Sequence, residues 1–182
     1  MDDGVDEAAR RDRLRAVLEA WPGTPAFVRD RHLTVVASNE LARAVSPGFA
    51  DGVNLLRFTF LSGEIDRSEE QWPVIAAQSV GLLRDSLEQH DDDQAFRGLV
   101  GELSALSRSF SSAWADENGS VAHSGPVTFA TPGRPDLRLV YQELRLPDEH
   151  EHVLVVWRAA DQASRRRLDA LMSRSGATPS AS

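Results

Sequence analysis

The chain has 182 residues, 41% hydrophobic and 26% charged, with no cysteine and a formal net charge of −8 at pH 7. That length supports one domain with a sizeable core, and the lack of cysteine excludes a disulfide framework, a thiolate metal site and a cysteine nucleophile. The bases, all arginine, are scattered apart from Arg165-Arg166-Arg167, so the chain by itself lacks the basic face from which duplex-DNA binding draws its affinity.

Met1 to Ala8 reads as a loose acidic lead-in, without the apolar stretch of a secretory signal. From Ala9, the residues Leu14, Val17, Leu18 and Trp21 recur at helical offsets, and Pro22-Gly23 ends the helix. Ala26-Phe27-Val28 and Leu33 to Ala37 are β-rich runs around Asp30-Arg31-His32, which predicts a hairpin. Asn39 is a natural N-cap for a short helix to Val45 that Pro47-Gly48 stops. Val53 to Leu61 is apolar and aromatic and opens a helical middle. From Ser68, the positions Trp72, Ile75, Ala76, Ser79, Leu83 and Leu87 mark one helix face. Asp91-Asp92-Asp93 can cap the next helix, which carries Phe96, Leu99, Val100, Leu103 and Leu106. Ser107 or Ser109 starts a further turn holding Phe110 and Trp114, and Asn118-Gly119 closes the helical region.

The period then changes from helix to strand. Val127 to Phe129 and the alternating run Leu137 to Gln142 predict two strands. Pro147-Asp148 is a turn, and the continuous apolar run Val153 to Trp157 predicts a central strand covered on both faces. An amphipathic helix from about Asp161 to Arg174 carries Leu168, Leu171 and Met172. Gly176 to Ser182 reads as a disordered tail of small residues. Two strands before the helical block and three after it predict one five-stranded antiparallel sheet covered by helices. This α+β layout resembles the plan of a PAS-like sensor and forms one domain over residues 9–175. No stretch approaches the roughly 20 apolar residues of a membrane span, and a cytoplasmic protein is expected.

Several segments together resemble the MmyB-like ligand-binding domain found at the C-terminus of Xre-type helix-turn-helix regulators. They are Thr24 to Leu33 with Ala37-Ser38-Asn39, Asn54 to Leu61, Trp72 with Arg84, Leu99-Val100-Gly101-Glu102-Leu103-Ser104, Ser107 to Phe110 with Trp114, and the closing runs Leu139 to Glu143 and Val153 to Val156. The resemblance covers about residues 10 to 175. Two positions depart from it: Glu117 stands near a usual histidine, and Thr131-Pro132 replaces a usual His-Pro. The helix-turn-helix half is not in this sequence, so the chain is either a piece of a longer regulator or a stand-alone sensor. The resemblance implies a lipophilic pocket between sheet and helices that holds a fatty acid or similar hydrophobic molecule. Binding would bias an attached DNA-binding part, which commonly acts as a homodimer on paired half-sites.

The candidate lining is Phe27, Phe58, Phe60, Trp72, Ile75, Leu83, Leu103, Phe110, Trp114 and Tyr141. Such residues are equally the stuff of a plain core, and they become pocket walls where a ligand site exists. Arg84, on the flank of the Trp72 helix face, either grips a ligand carboxylate or makes a structural salt bridge to Glu102 or Glu143. His150 and His152 around Glu151 are a weak metal signal better read as a solvated turn. No nucleophile elbow, phosphate loop, zinc-protease motif or dinucleotide fingerprint is present. No enzyme activity, metal or cofactor is expected. The other reading from a different class is a ligand-free protein-interaction or dimerisation module.

Overall fold

The structure is a computed structural model and describes residues 3–66, 71–88, 93–116, 122–131, 134–146 and 152–175. The apolar run near the C-terminus forms β5 (Val153–Ala159), the central strand of a five-stranded antiparallel sheet. The others are β1 (Ala26–Arg29), β2 (Val35–Ser38), β3 (Ser124–Thr131) and β4 (Arg134–Arg145), in the order β2-β1-β5-β4-β3. In β5, Val155 lies opposite both Phe27 and Glu143, and Trp157 lies opposite Tyr141. Alternation therefore puts Phe27, Arg29, Tyr141, Glu143, Val155 and Trp157 on one face, the inner face below. Ala26, Val28 and Leu154 point to the other face, where Leu18 of α1 (Asp3–Glu19) packs on them.

Three cores result. On the inner face, Phe27, Leu139, Tyr141, Val155 and Trp157 meet Ala42 of α2 (Glu40–Val45), Phe49 of a single 3-10 turn (Pro47–Phe49) and Leu168 of α7 (Gln162–Ser175). A second core lies within the helical block of α3 (Leu55–Leu61), α4 (Trp72–Glu88), α5 (Gln94–Leu106) and α6 (Arg108–Ala115), built on Phe60, Val80, Leu83, Phe96, Leu103 and Phe110. The third is the α1 layer. Leu55 touches both of the first two and joins the block to the sheet.

The helix starts follow the cap chemistry. Asn39, Asn54, Asp93 and Ser107 each accept a hydrogen bond from a backbone N–H in the first turn of α2, α3, α5 and α6. Asn39 does more than cap. Its Oδ1 also accepts from Ala26 N, and its Nδ2 donates to the carbonyls of Leu18, Trp21 and Thr24. One buried side chain thereby closes α1, opens β1 and opens α2.

Some boundaries differ from expectation. α1 begins at Asp3, so residues 3–8 of the expected loose lead-in are helical. Of its predicted apolar face, Leu18 is buried, whereas Val17 and Trp21 are 55% and 42% exposed. α1 meets β1, β2 and Leu154 of β5 mainly through Leu18, so only a narrow stripe of it is covered. β2 starts at Val35 rather than Leu33, because Leu33 takes a left-handed turn (φ 65°) and Thr34 pairs instead with Asn54. Ser68, Asp91, Asp92, Asn118-Gly119, Pro147-Asp148 and the tail from Gly176 lie outside the described residues.

α1 is fastened by charge as well as packing. Arg15 meets Asp51 at 2.6 Å, and Asp51 also accepts from Ser38 Oγ at 2.7 Å. Burial pushes the Asp51 carboxyl up, but the bonds from Arg15 and Ser38 and the charges of Arg15 and Arg43 outweigh that and hold it below its ordinary value. A carboxyl lowered in the fold adds stability above its unfolded value and loses it as pH falls through the folded one. Asp51→Asn is thus expected to cost stability at neutral pH, with the gap to wild type closing below about pH 4. Thermal unfolding of both proteins across that range checks it, and a constant gap would show that the carboxylate charge is not what holds α1.

Candidate functional site

α1, α2 and α7 pack directly on strands, whereas α4 reaches the sheet through individual side chains. Four contacts mark the stripe it presents. The Gln71 side chain, one residue before α4, donates to Thr128 O at 2.9 Å and accepts from Thr128 N at 3.2 Å, pairing with edge strand β3 as a backbone would. Gln78 lies beside Gly125, with its Nε2 3.5 Å from where a β-carbon there would sit. Asp85 meets Arg145 at 3.7 Å, and Ser86 donates to Arg31 O at 2.7 Å. Gln71, Ile75, Gln78, Leu82 and Asp85 recur at alternating offsets of four and three, which is one stripe of a helix. This stripe is only partly buried, and α4 packs most closely on α6 and α3 rather than on any strand. A seam therefore runs between α4 and the inner face, fastened near its ends.

Beneath the seam lies a charged pair. Gly125 and Arg145, which α4 touches, flank the position of Glu143 on the inner face. Glu143 Oε1 accepts from Arg29 Nε at 3.1 Å and from Arg29 Nη2 at 2.9 Å. The two side chains are 7% and 6% exposed. Glu143 Oε2 lies 3.0 Å from Nδ1 of the half-exposed His123, which connects the pair to solvent. Beside them, Tyr141 donates its hydroxyl proton to Ala122 O at 2.6 Å. The ring itself meets Trp157 at 5.4 Å.

The candidate residues divide among these layers. Phe60, Trp72, Leu83, Leu103, Phe110 and Trp114 belong to the helical-block core. Phe27 and Tyr141 belong to the inner-face core, and Ile75 lies on the seam-facing stripe. Phe58 covers Gly48, where an added β-carbon would come within 2.6 Å of its ring. The expected lining is thus divided between two cores, which Leu55 joins.

Arg84 makes neither expected salt bridge. Glu102 is paired with Arg57 at 2.6 Å and Glu143 with Arg29. The Arg84 guanidinium instead donates to the carbonyls of Trp114 and Asp116 at the end of α6 and stacks over the Trp114 ring at 5.0 Å. It caps α6, where a cation suits the carbonyl end of a helix.

Arg29 was not singled out from the sequence, and Glu143 entered only as a partner for Arg84. Two inward alternation positions carrying opposite charges, in strands otherwise apolar on that side, were the available signal. Phe49, Phe129 and Trp157 were also missed. Among the described residues no group of three or more His, Asp or Glu is placed to hold a metal ion. His90, Glu117, Pro132, His150 and Glu151 lie outside the described residues.

The family described as the MmyB-like transcription regulator ligand binding domain matches residues 10–171. The chain belongs to this family. The match begins within α1 and runs through most of α7, so the seam, the Arg29–Glu143 pair and both large cores all fall within the MmyB-like domain. Its role as a small-molecule-binding domain of transcription regulators follows from that membership. No curated protein matches the chain. No helix among the described residues of this MmyB-like domain is long and apolar enough to cross a membrane.

Proposed function

We propose that this MmyB-like domain senses a hydrophobic, fatty-acid-like small molecule held in the seam between α4 and the inner face of the sheet. Its apolar body lies against Ile75 and the aromatic rings, and its polar end lies on the part of the inner face that Tyr141, Arg29 and Glu143 share. The observation that carries this reading is the buried Arg29–Glu143 pair on the inner face, between Gly125 and Arg145, which α4 reaches only through individual side chains. Taking two charges out of water is expensive, and a pair of well-packed apolar residues is often at least as stable. A buried pair at a layer boundary is therefore better explained by recognition than by stability. The polar end is assigned to Arg29 rather than Arg84, because the Arg84 donors face the α6 carbonyls.

The ligand acts by favouring one placement of α4. A ligand shifts a conformational equilibrium only by its difference in affinity between the two states. Prising α4 from the sheet breaks the Gln71–Thr128, Asp85–Arg145 and Ser86–Arg31 contacts. The reading extends to a cytoplasmic homodimer that reaches DNA only through a helix-turn-helix domain outside this chain. Native mass spectrometry of freshly purified protein, with solvent extraction of bound material, tests it. A discrete added mass that extracts as a fatty acid is expected. A clean protein mass, with no thermal shift across a panel of fatty acids, overturns it in favour of a protein-interaction module.

A further inference from the structure

Trp157 sits on the inner face of the central strand and is 7% exposed. Its ring is enclosed by Phe49 at 5.3 Å, Phe129 at 5.4 Å and Tyr141 at 5.4 Å. The indole Nε1 is fully buried and has no hydrogen-bond partner. Buried indole N–H groups ordinarily find an acceptor, and each native exception calls for an explanation. Of the rings that enclose it, Phe49 and Phe129 carry no oxygen, and the Tyr141 hydroxyl, which donates to the Ala122 carbonyl, makes no hydrogen bond with the nitrogen. The donor is therefore open to an acceptor from outside the described residues.

The cluster is also reachable. Val127 and Phe129, on edge strand β3, are only partly buried, and they flank Thr128, which Gln71 clamps from the start of α4. The Gln71 clamp thus sits at the partly exposed edge of the aromatic cluster. Trp157 and Tyr141 are opposed across β5 and β4, so the orphan donor and the Arg29–Glu143 pair share the inner face, two strand positions apart along β4.

We infer that the Trp157 Nε1–H is a ligand-recognition donor, one that binds a carbonyl or carboxyl oxygen on an otherwise apolar molecule. This rests on the sensor reading above and adds a specificity residue to it. An indole N–H is a neutral donor. It accepts an ester, ketone or amide oxygen as readily as a carboxylate, whereas Arg29, already neutralised by Glu143, gives no strong preference for an anion. The recognised feature is therefore the sp2 oxygen on a hydrophobic body.

The experiment uses the full chain labelled with 15N, with dodecanoic acid and methyl dodecanoate as probes. The chain has four tryptophans, and Trp157→Phe assigns the Trp157 indole resonance by its disappearance. The indole proton of Trp157 is expected to move downfield on binding. The calorimetric affinity of Trp157→Phe is expected to fall about tenfold, the size of one hydrogen bond. A response to both probes assigns a carbonyl oxygen, and a response to the acid alone assigns a carboxylate. If either probe binds and shifts backbone amides while the Trp157 indole stays fixed, or if Trp157→Phe binds as tightly as wild type, the inference falls and the sensor reading stands. In that case the nitrogen is satisfied by the Phe129 ring face or by a buried water. If neither probe binds wild type, both fall. The wild-type titration decides even if Trp157→Phe fails to fold.

Discussion

Replacing Arg29 with methionine is expected to destabilise the domain by about 3–5 kcal/mol, because it leaves the Glu143 carboxylate buried without its charge partner. Glu143 is 6% exposed at the side chain, and Arg29 supplies both donors to its Oε1. His123, half exposed on the far oxygen, offers only partial relief. The double variant Arg29→Met with Glu143→Leu removes both charges, and it is expected to recover most of the loss. Urea unfolding of the two variants and wild type measures both numbers. A single-variant loss below about 1 kcal/mol would mean that water reaches the pair, as it does at exposed ion pairs. The double variant also serves the functional question. A folded protein that no longer binds fatty acids locates the polar end of the ligand at this pair, whereas unchanged binding moves it elsewhere.

Phe110→Ala is expected to cost about 3–5 kcal/mol, as truncation of a fully buried aromatic side chain generally does. Phe110 is fully buried in the helical block, edge-on to Phe60 at 5.2 Å and stacked on Trp114 at 5.7 Å. Its loss opens a cavity where α3 and α6 meet, and the same ring supports Trp114, on which the Arg84 cap rests. Phe129→Ala, on a partly buried edge-strand residue, is the matched control and is expected to cost clearly less, since part of its surface is already in water. Equilibrium unfolding followed by circular dichroism separates the two. Equal losses would show that the helical block and the sheet rim are packed to the same degree, contrary to the burial.

Much of this was legible from local pattern. The alternation at Leu137 to Gln142, the unbroken run Val153 to Trp157 and the caps at Asn39, Asp93 and Ser107 each reflect chemistry within a few residues along the chain. Those elements fall where expected. The two-plus-three division of strands around a helical block gave the five-stranded antiparallel sheet, because antiparallel neighbours close through short connections and the central place suits the most apolar strand. The family was legible for the same reason, since its segments are short and ordered along the sequence.

The site was less legible. Helical spacing placed Trp72, Ile75 and Leu83 together on one helix. It could not show that Leu83 is buried in the helical block while Ile75 is left half-buried outside it, because periodicity gives a helix's apolar width but not which neighbour each edge meets. Arg84 was read either toward a ligand carboxylate or toward a salt bridge with Glu102 or Glu143, yet its partners are two backbone carbonyls at the end of α6, 30 and 32 residues away. The Arg29–Glu143 pair joins positions 114 apart in the sequence. The sequence by itself determined which elements form, in what order, and to which family they belong, since those rest on local propensity and periodicity. Only the tertiary structure decided which polar groups are buried together beneath α4. Burial and pairing arise when distant strands are brought side by side, and no spacing along the chain records that contact.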